Sequence, residues 1–353
     1  MTTLARRDDA DLTRGFTAWC ARRWPDAGYA IAELGRPRSG WTNETLLVAL
    51  HGKAGDRRLV VRLPPGVPTW PVYDLGGQAR VLAALAPTPI PVPAVVAYEP
   101  DDQWLGAPFV VMSHEAGRPG PEAPALDPWV MESAPDVQRH LHERFVDMLA
   151  TINSVDWHNA EFGGALRGGE HTLANEVAWW ADYVDWASAG APTPALTDAM
   201  TWCAANVPAD EPPASLCWGD VRIGNMLFSE ERDVLSVLDW EMASIGPAEL
   251  DLAWFVALDE LTNHFVKKTV PGFLTKAEVV ARYEAALGRP VVDLEWHEIF
   301  ALIRSTAIND RQARLAQESG VPYPGVAGAD NPVLRVIARR IEAFGIGDVA
   351  THD

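Results

Sequence analysis

The run Trp218–Phe255, WGDVRIGNMLFSEERDVLSVLDWEMASIGPAELDLAWF, decides the fold. Its first part sets Asp220 and Asn225 on a short loop, with Gly219 and Gly224 beside them, between apolar segments. Its second part sets Asp239 directly after the apolar run VLSVL. A strand pair of SLCW (215–218) with VLSVLDW (234–240) would bring Asp220, Asn225 and Asp239 to one end. Two carboxylates and an amide gathered in this way suit phosphoryl transfer. One carboxylate orients or accepts the proton of an attacking hydroxyl. An amide oxygen and the other carboxylate hold Mg²⁺, which needs few protein ligands and prefers hard oxygens. A lone D-x-x-x-x-N would carry little weight, because such residues ordinarily cap helices or sit in turns. The ordered two-part pattern is what gives it weight.

Outward from this run the two sides of the chain differ. On the N-terminal side, residues 10–24 read as an amphipathic helix, with Leu12, Phe16, Trp19 and Cys20 at helical spacing and Pro25 as the stop. Strand-like YAIAELG (29–35), ETLLVAL (44–50) and RLVVRL (58–63) are separated by the turn-rich RPRSGWTN and HGKAGD. LGGQARVLAALA (75–86) reads as a helix, PTPIPVP (87–93) as an extended connector, and VVAYE (95–99) and PFVVMSH (108–114) as two more strands. Five antiparallel strands with one packed helix make a small α+β lobe. On the C-terminal side helices dominate. They are expected over 138–155, 173–188, 196–207, 249–261, 275–288, 293–317 and 332–344. The division falls near Gly117–Pro124, giving lobes of 1–116 and 117–353.

Composition excludes several classes. The chain has 353 residues, 48% of them hydrophobic and 22% charged, which suits a two-lobed globular protein and not a disordered chain. The net charge is −19 and no Lys/Arg cluster stands out, so a nucleic-acid partner is not expected. The three cysteines, Cys20, Cys203 and Cys217, show no CxxC spacing and read as reduced thiols. The N-terminal residues carry charges throughout, unlike a signal peptide, and no run is apolar enough to span a membrane. A cytoplasmic location is expected. The sequence leaves the oligomeric state open.

The two-part pattern resembles the signature of the aminoglycoside-phosphotransferase family, H-G-D-x-x-x-x-N and then a strand ending in D-W-E. Here it reads W-G-D-V-R-I-G-N and L-D-W-E, and G-P-A-E-L-D-L-A-W is similar to the family's G-D-P-x-x-D-L-A. The resemblance runs from about Tyr29 to the last helices. It is closest to the branch related to the kinase-like domain fused to some acyl-CoA dehydrogenases. It implies a protein-kinase-like two-lobed α+β fold, with 1–116 as the nucleotide-binding lobe. It also implies ATP or GTP as phosphate donor, Mg²⁺ as cofactor and a small-molecule hydroxyl as acceptor. By position, Asp220 corresponds to the catalytic base, Asn225 and Asp239 to the metal ligands, and Asp251 to a carboxylate supporting the core. Glu241 falls just behind the metal ligands. Trp218 stands where most of the family has His, a scaffold position.

The nucleotide side follows the same resemblance. Gly40, Thr42 and Asn43 lie where the family has a phosphate-covering turn, although they also suit an ordinary hairpin. Arg62 takes the slot of the strand Lys that reaches the phosphates, and Gln78 the slot of its Glu partner. Met112 would face the base, and the backbone of Ser113, His114 and Glu115 would read its edge. On the acceptor side, Trp179, Trp180, Trp186 and Trp254 with Asp182, Asp259 and Glu260 suit a cationic or amphipathic ligand, although Trp at helical spacing is more often core. His264 and Lys267 are candidates for a loop covering the acceptor. Two readings compete with an active small-molecule kinase: a nucleotide-binding module with little transfer activity, marked by Trp218 and Gln78, and a metal-dependent hydrolase.

Overall fold

From Glu44 to Leu50 every second side chain is buried, and the same holds from Leu59 to Leu63, the pattern of strands with one face turned inward. In the computed structural model, which describes residues 7–37, 43–158, 162, 166, 171–323 and 325–344, these strands belong to one antiparallel sheet. Its members are β1 (Ala30–Gly35), β2 (Glu44–His51), β3 (Arg57–Leu63), β4 (Val95–Glu99) and β5 (Phe109–Ser113), in spatial order β1-β2-β3-β5-β4. One face, with Leu46, Val48, Leu50, Val61, Leu63 and Phe109, is covered by Leu12, Phe16 and Trp19 of α1 (Asp9–Arg23). On the other face, Val110 and Met112 pack with α2 (Leu75–Leu85). The expectation of one packed helix is therefore corrected to two. Both sheet faces are apolar, and each needs a cover.

The chain then enters the helical lobe through β6 (Arg118–Pro119) and the short α3 (Pro128–Met131). Next come α4 (Pro135–Asn153), α5 (Leu173–Ala187) and α6 (Pro194–Ala205). After four short strands follow α7 (Glu249–Val266), α8 (Lys276–Leu287), α9 (Leu294–Glu318) and α10 (Pro332–Ala343). Helix α9 is buried along much of its length through Trp296, Phe300, Leu302 and Ile303, and packs against α7. Among the described residues no helix is long and apolar enough to cross a membrane.

The four short strands pair differently from expectation. β7 (Ala214–Cys217) pairs with β10 (Ser244–Pro247), whereas β8 (Met226–Phe228) pairs with β9 (Val234–Val237) and has β6 on its other edge. The direct pairing of SLCW with VLSVLDW is thus corrected. A turn of 3-10 helix at Ile223–Asn225 reverses the chain early, so a tight hairpin forms first and β10 returns to close on β7. The anticipated consequence survives. Leu238 N–H donates to the Asn225 carbonyl (2.8 Å), which sets Asp239 beside Asn225.

The Pro-rich crossing after β3 is fastened to the helical lobe. Tyr183 Oη donates to the Thr69 carbonyl (3.1 Å), and Arg311 Nη2 to that of Pro68 (2.8 Å).

Candidate active site

Gly219 begins the loop that carries Asp220. Its φ is +93°, and a Cβ there would lie 2.4 Å from the Met242 carbonyl oxygen, so only glycine fits. The loop is held from beneath by Asp251, in the first turn of α7 and 1% exposed. The Asp251 carboxylate accepts from Trp218 N (2.7 Å), Gly219 N (2.9 Å) and Asn153 Nδ2 (2.9 Å). Burial pushes its carboxyl above the ordinary range, and these three donors pull the other way.

Trp218, at the scaffold position, is fully buried. Its Nε1 donates to the carbonyl of Leu238 (2.8 Å), the residue before Asp239. The single donor of the indole thus ties the Asp220 loop to the Asp239 loop.

The expected trio converges. Asn225 Nδ2 donates to Asp220 Oδ2 (2.7 Å) and to the Asp220 carbonyl (3.0 Å), which leaves the Asn225 amide oxygen as its acceptor end. Asp239 stands in the left-handed region at φ +59° and receives Arg62 Nη2 on Oδ1 (3.0 Å). Arg62 Nη1 donates to Gln78 Oε1 (3.3 Å), so the strand cation and its α2 partner do meet. Burial lowers the Arg62 pKa, but the charges of Asp239 and Glu241 outweigh it and hold the guanidinium above its usual value.

Between the sheet and the helical lobe lies a cleft of about 420 Å³. Val60, Val110 and Met112 line it from the sheet, and Leu227 and Leu238 from the β8–β9 side. Arg62, Asn225 and Asp239 share its polar end. Ser113, His114 and Glu115 line it where the chain leaves the sheet. Ser113 N–H donates to Ala94 O (2.9 Å) and His114 N–H to Arg58 O (3.3 Å). Both of these N–H groups are therefore already engaged within the sheet region. Asn43 also lines the cleft, but its amide donates to Glu241 Oε2. Gly40 and Thr42 lie outside the described residues.

Glu241 is a hub behind Asp239. Besides Asn43 it receives Trp70 Nε1 (3.0 Å) and Tyr73 Oη (3.4 Å). Burial, and next the Glu241 charge, push the Tyr73 phenol far above its ordinary range. A second cavity, of about 350 Å³, borders Glu241 and shares Gln78 and Trp240 with the cleft.

Sequence reasoning missed Arg222, two residues past Asp220. Its Nε donates to Asp220 Oδ2 (3.0 Å), and its Nη1 pairs with Glu122. Burial lowers its pKa, but Asp220, Glu122 and Asp239 outweigh this and hold the guanidinium charged. A cation inside the variable positions of the motif was the available signal. Asn153, Trp70 and Tyr73 were also missed, because nothing local marks them. On the acceptor side, Trp180 and Trp254 are buried in the core, and Glu260 pairs with Arg340 (3.0 Å). His264 sits on α7 and Lys267 caps its end, so the idea of a covering loop there is corrected.

Comparison with known proteins identifies the family and the fold. The model of the family described as "Phosphotransferase enzyme family" matches residues 33–299. A probable acyl-CoA dehydrogenase of Arabidopsis thaliana is 26% identical over 326 residues, 86% of this chain; the chain spans 39% of that relative's length. A solved structure from Ralstonia eutropha, assigned to the aminoglycoside phosphotransferases, superposes with a TM-score of 0.67 at 20% identity, covering 93% of this chain and 94% of that one. An APH(2″) protein solved as a GDP and kanamycin complex superposes with a TM-score of 0.53 at 14% identity, covering 93% and 97%. At such identities these likenesses establish the kinase-like fold.

Proposed function

The chain belongs to the phosphotransferase enzyme family, and on that premise we propose that it moves the terminal phosphate of ATP or GTP to a hydroxyl of a small molecule. The observation that carries this reading is the convergence of Asn225, Asp239 and Arg62 at the polar end of one cleft, with Asp220 hydrogen-bonded to Asn225 behind it. In it, residues 1–116 form the nucleotide-binding lobe and 117–353 supply the catalytic loops.

Val60, Val110 and Met112 give the base an apolar wall, and Arg62 offers a fixed cation to the phosphates. The Asn225 amide oxygen and the Asp239 carboxylate form a hard, oxygen-only donor pair, which fits Mg²⁺. Bound there, the metal would neutralise charge on the phosphate oxygens. Asp220 aligns the acceptor hydroxyl. The acceptor oxygen bonds to the γ-phosphorus, the bond from phosphorus to the bridging oxygen breaks, and the nucleoside diphosphate leaves with the electron pair. The hydroxyl proton passes to Asp220 late, since the transition state is loose.

A binding-only module is disfavoured by Trp218 and Gln78, the two departures that would mark decay. Each makes a bond that keeps the site assembled. The acceptor candidates remain an aminoglycoside-like compound, a hydroxyacyl thioester or another hydroxylated metabolite. The three free, buried cysteines suit a reducing, cytoplasmic setting.

The test is acceptor-dependent release of ADP or GDP with Mg²⁺, in the wild type and in Asp220→Asn. We expect kcat to fall by about 10²-fold or more with nucleotide affinity nearly unchanged. Near-wild-type turnover of the variant would remove Asp220 from catalysis.

A further inference from the structure

The second cavity lies back to back with the nucleotide cleft, with Gln78 and Trp240 in both walls. Met242 also lines it, and the close approach of Gly219 to the Met242 carbonyl sets the cavity against the loop bearing Asp220. Trp179 and Trp180 of α5 and Trp70 and Tyr73 of the crossing before α2 contribute much of the wall.

Charged groups also border the cavity, but the protein itself engages them. Glu241 receives Trp70, Tyr73 and Asn43. Glu176 receives Trp180 Nε1 (2.9 Å). Asp74 caps α2 through Gly77 N (2.7 Å) and pairs with Arg80 (3.4 Å). Arg304, 4% exposed, lies against Trp180, Trp254 and Phe300 and donates to the Leu250 carbonyl (3.1 Å). Two of these carboxylates thus orient the rings. Those bonds fix the rings as walls of the cavity. A flat, uncharged body would stack on the rings and break none.

Resting on the phosphotransfer reading, we propose that this cavity seats the body of the acceptor, and that the acceptor is an alcohol with a flat or apolar body that stacks on these rings. A cavity of about 350 Å³ takes a body of small-molecule size. The hydroxyl passes Gln78 and Trp240 into the cleft, where its oxygen bonds to the γ-phosphorus as the bridging oxygen departs on the nucleoside diphosphate. The hydroxyl proton leaves by way of Asp220.

The probes are phenethyl alcohol and naphthylethanol, with kanamycin as the polycation. Binding is read from tryptophan emission, and turnover from Mg²⁺-dependent nucleoside diphosphate release. Both alcohols should quench saturably and stimulate release. Trp179→Ala should raise the acceptor KM by about tenfold without moving the nucleotide KM. Val72, at the rim and 79% exposed, tolerates a charge without disturbing the fold, so Val72→Asp should weaken the alcohols in the same direction. Absence of saturable quenching by either alcohol, or stimulation by kanamycin that both variants leave intact, overturns the proposal. Binding of Mg²⁺-nucleotide to Asp220→Asn is measured separately. Its loss would sink the phosphotransfer reading, whereas quenching by the alcohols reports on the cavity alone.

Discussion

From Trp218 to Asp251 the chain carries most of what holds the Asp220 loop: Trp218 reaches Leu238, Asn225 reaches Asp220, and Asp251 reaches back to Trp218 and Gly219. The second cavity is assembled in the opposite way. Its rings and carboxylates come from the crossing before α2, from α5 and from the loop after Asp239, and α9 adds the Arg304 guanidinium. The Trp218–Asp251 region is therefore held largely by hydrogen bonds within one run of chain, which a motif can encode, whereas the cavity depends on how α5 and α9 pack against the smaller lobe. A substitution in the first region should act on rate with little change of ligand range, and one in the second should act on ligand range with little change of rate.

The largest effect that would sharpen this contrast is at Asp239. Asp239→Asn keeps the shape but removes the charge shared by Arg62 and the metal position. Turnover at saturating nucleotide should fall by about 10²-fold or more, and added Mg²⁺ should restore only part of it. Unchanged turnover across a Mg²⁺ titration would remove Asp239 from the site. Next comes Arg62→Ala, which deletes a charge-assisted phosphate contact. The nucleotide KM should rise by about tenfold, with a smaller change in kcat. A change in acceptor KM alone would break the contrast, because it would tie Arg62 to the cavity.

Trp218 gives a third, smaller effect, and it separates donor from volume. Trp218→Phe fills most of the space but leaves the buried Leu238 carbonyl without its donor, at a cost of about 1–3 kcal/mol. We expect a lower Tm and a kcat reduced a few-fold. Trp218→His keeps a donor and should recover more of the rate than of the stability. Equal rates for the two variants would show that the hydrogen bond to Leu238 contributes nothing to alignment.

The same contrast explains what the sequence makes legible. The strands of the small sheet and the long helices announce themselves by period two and period 3.6, and their observed bounds lie close to those expected. The trio Asp220, Asn225 and Asp239 is legible because its order and spacing survive in the folded hairpin. The pairing of β7 with β10 is not, because Ser244–Pro247 contains Gly246 and Pro247 and reads as a turn. It becomes a strand only because all four of its residues are buried. In the sequence, position alone sets Glu241 behind Asp239. Its partners Trp70 and Tyr73 stand far away in sequence, and only the packed crossing brings them in. The sequence offers His264 as a candidate for a covering loop, yet α7 continues to Val266 and ends at Lys267, with φ +54°.

The smallest predicted effect concerns Gln78, which stands in the walls of both regions. Its Oε1 accepts from Arg62 at 3.3 Å, a long bond, while Asp239 takes the same guanidinium at 3.0 Å. Gln78→Glu would add a second carboxylate to Arg62. Two opposed consequences follow. The ion pair would hold Arg62 more firmly on the sheet side, which favours alignment. The added negative charge would also stand near the phosphates, which weakens nucleotide binding. Because the guanidinium is already neutralised by Asp239, the gain from a second partner is small, and the repulsion should prevail slightly. The expected result is a nucleotide KM raised about two- to threefold, kcat within about twofold, and an acceptor KM raised no more than the nucleotide KM. Steady-state kinetics with either substrate varied at saturation of the other resolves these. A marked rise in acceptor KM would mean that Gln78 belongs to the cavity more than to the cleft. A large gain in kcat would mean instead that Arg62 lacks its proper partner in this chain.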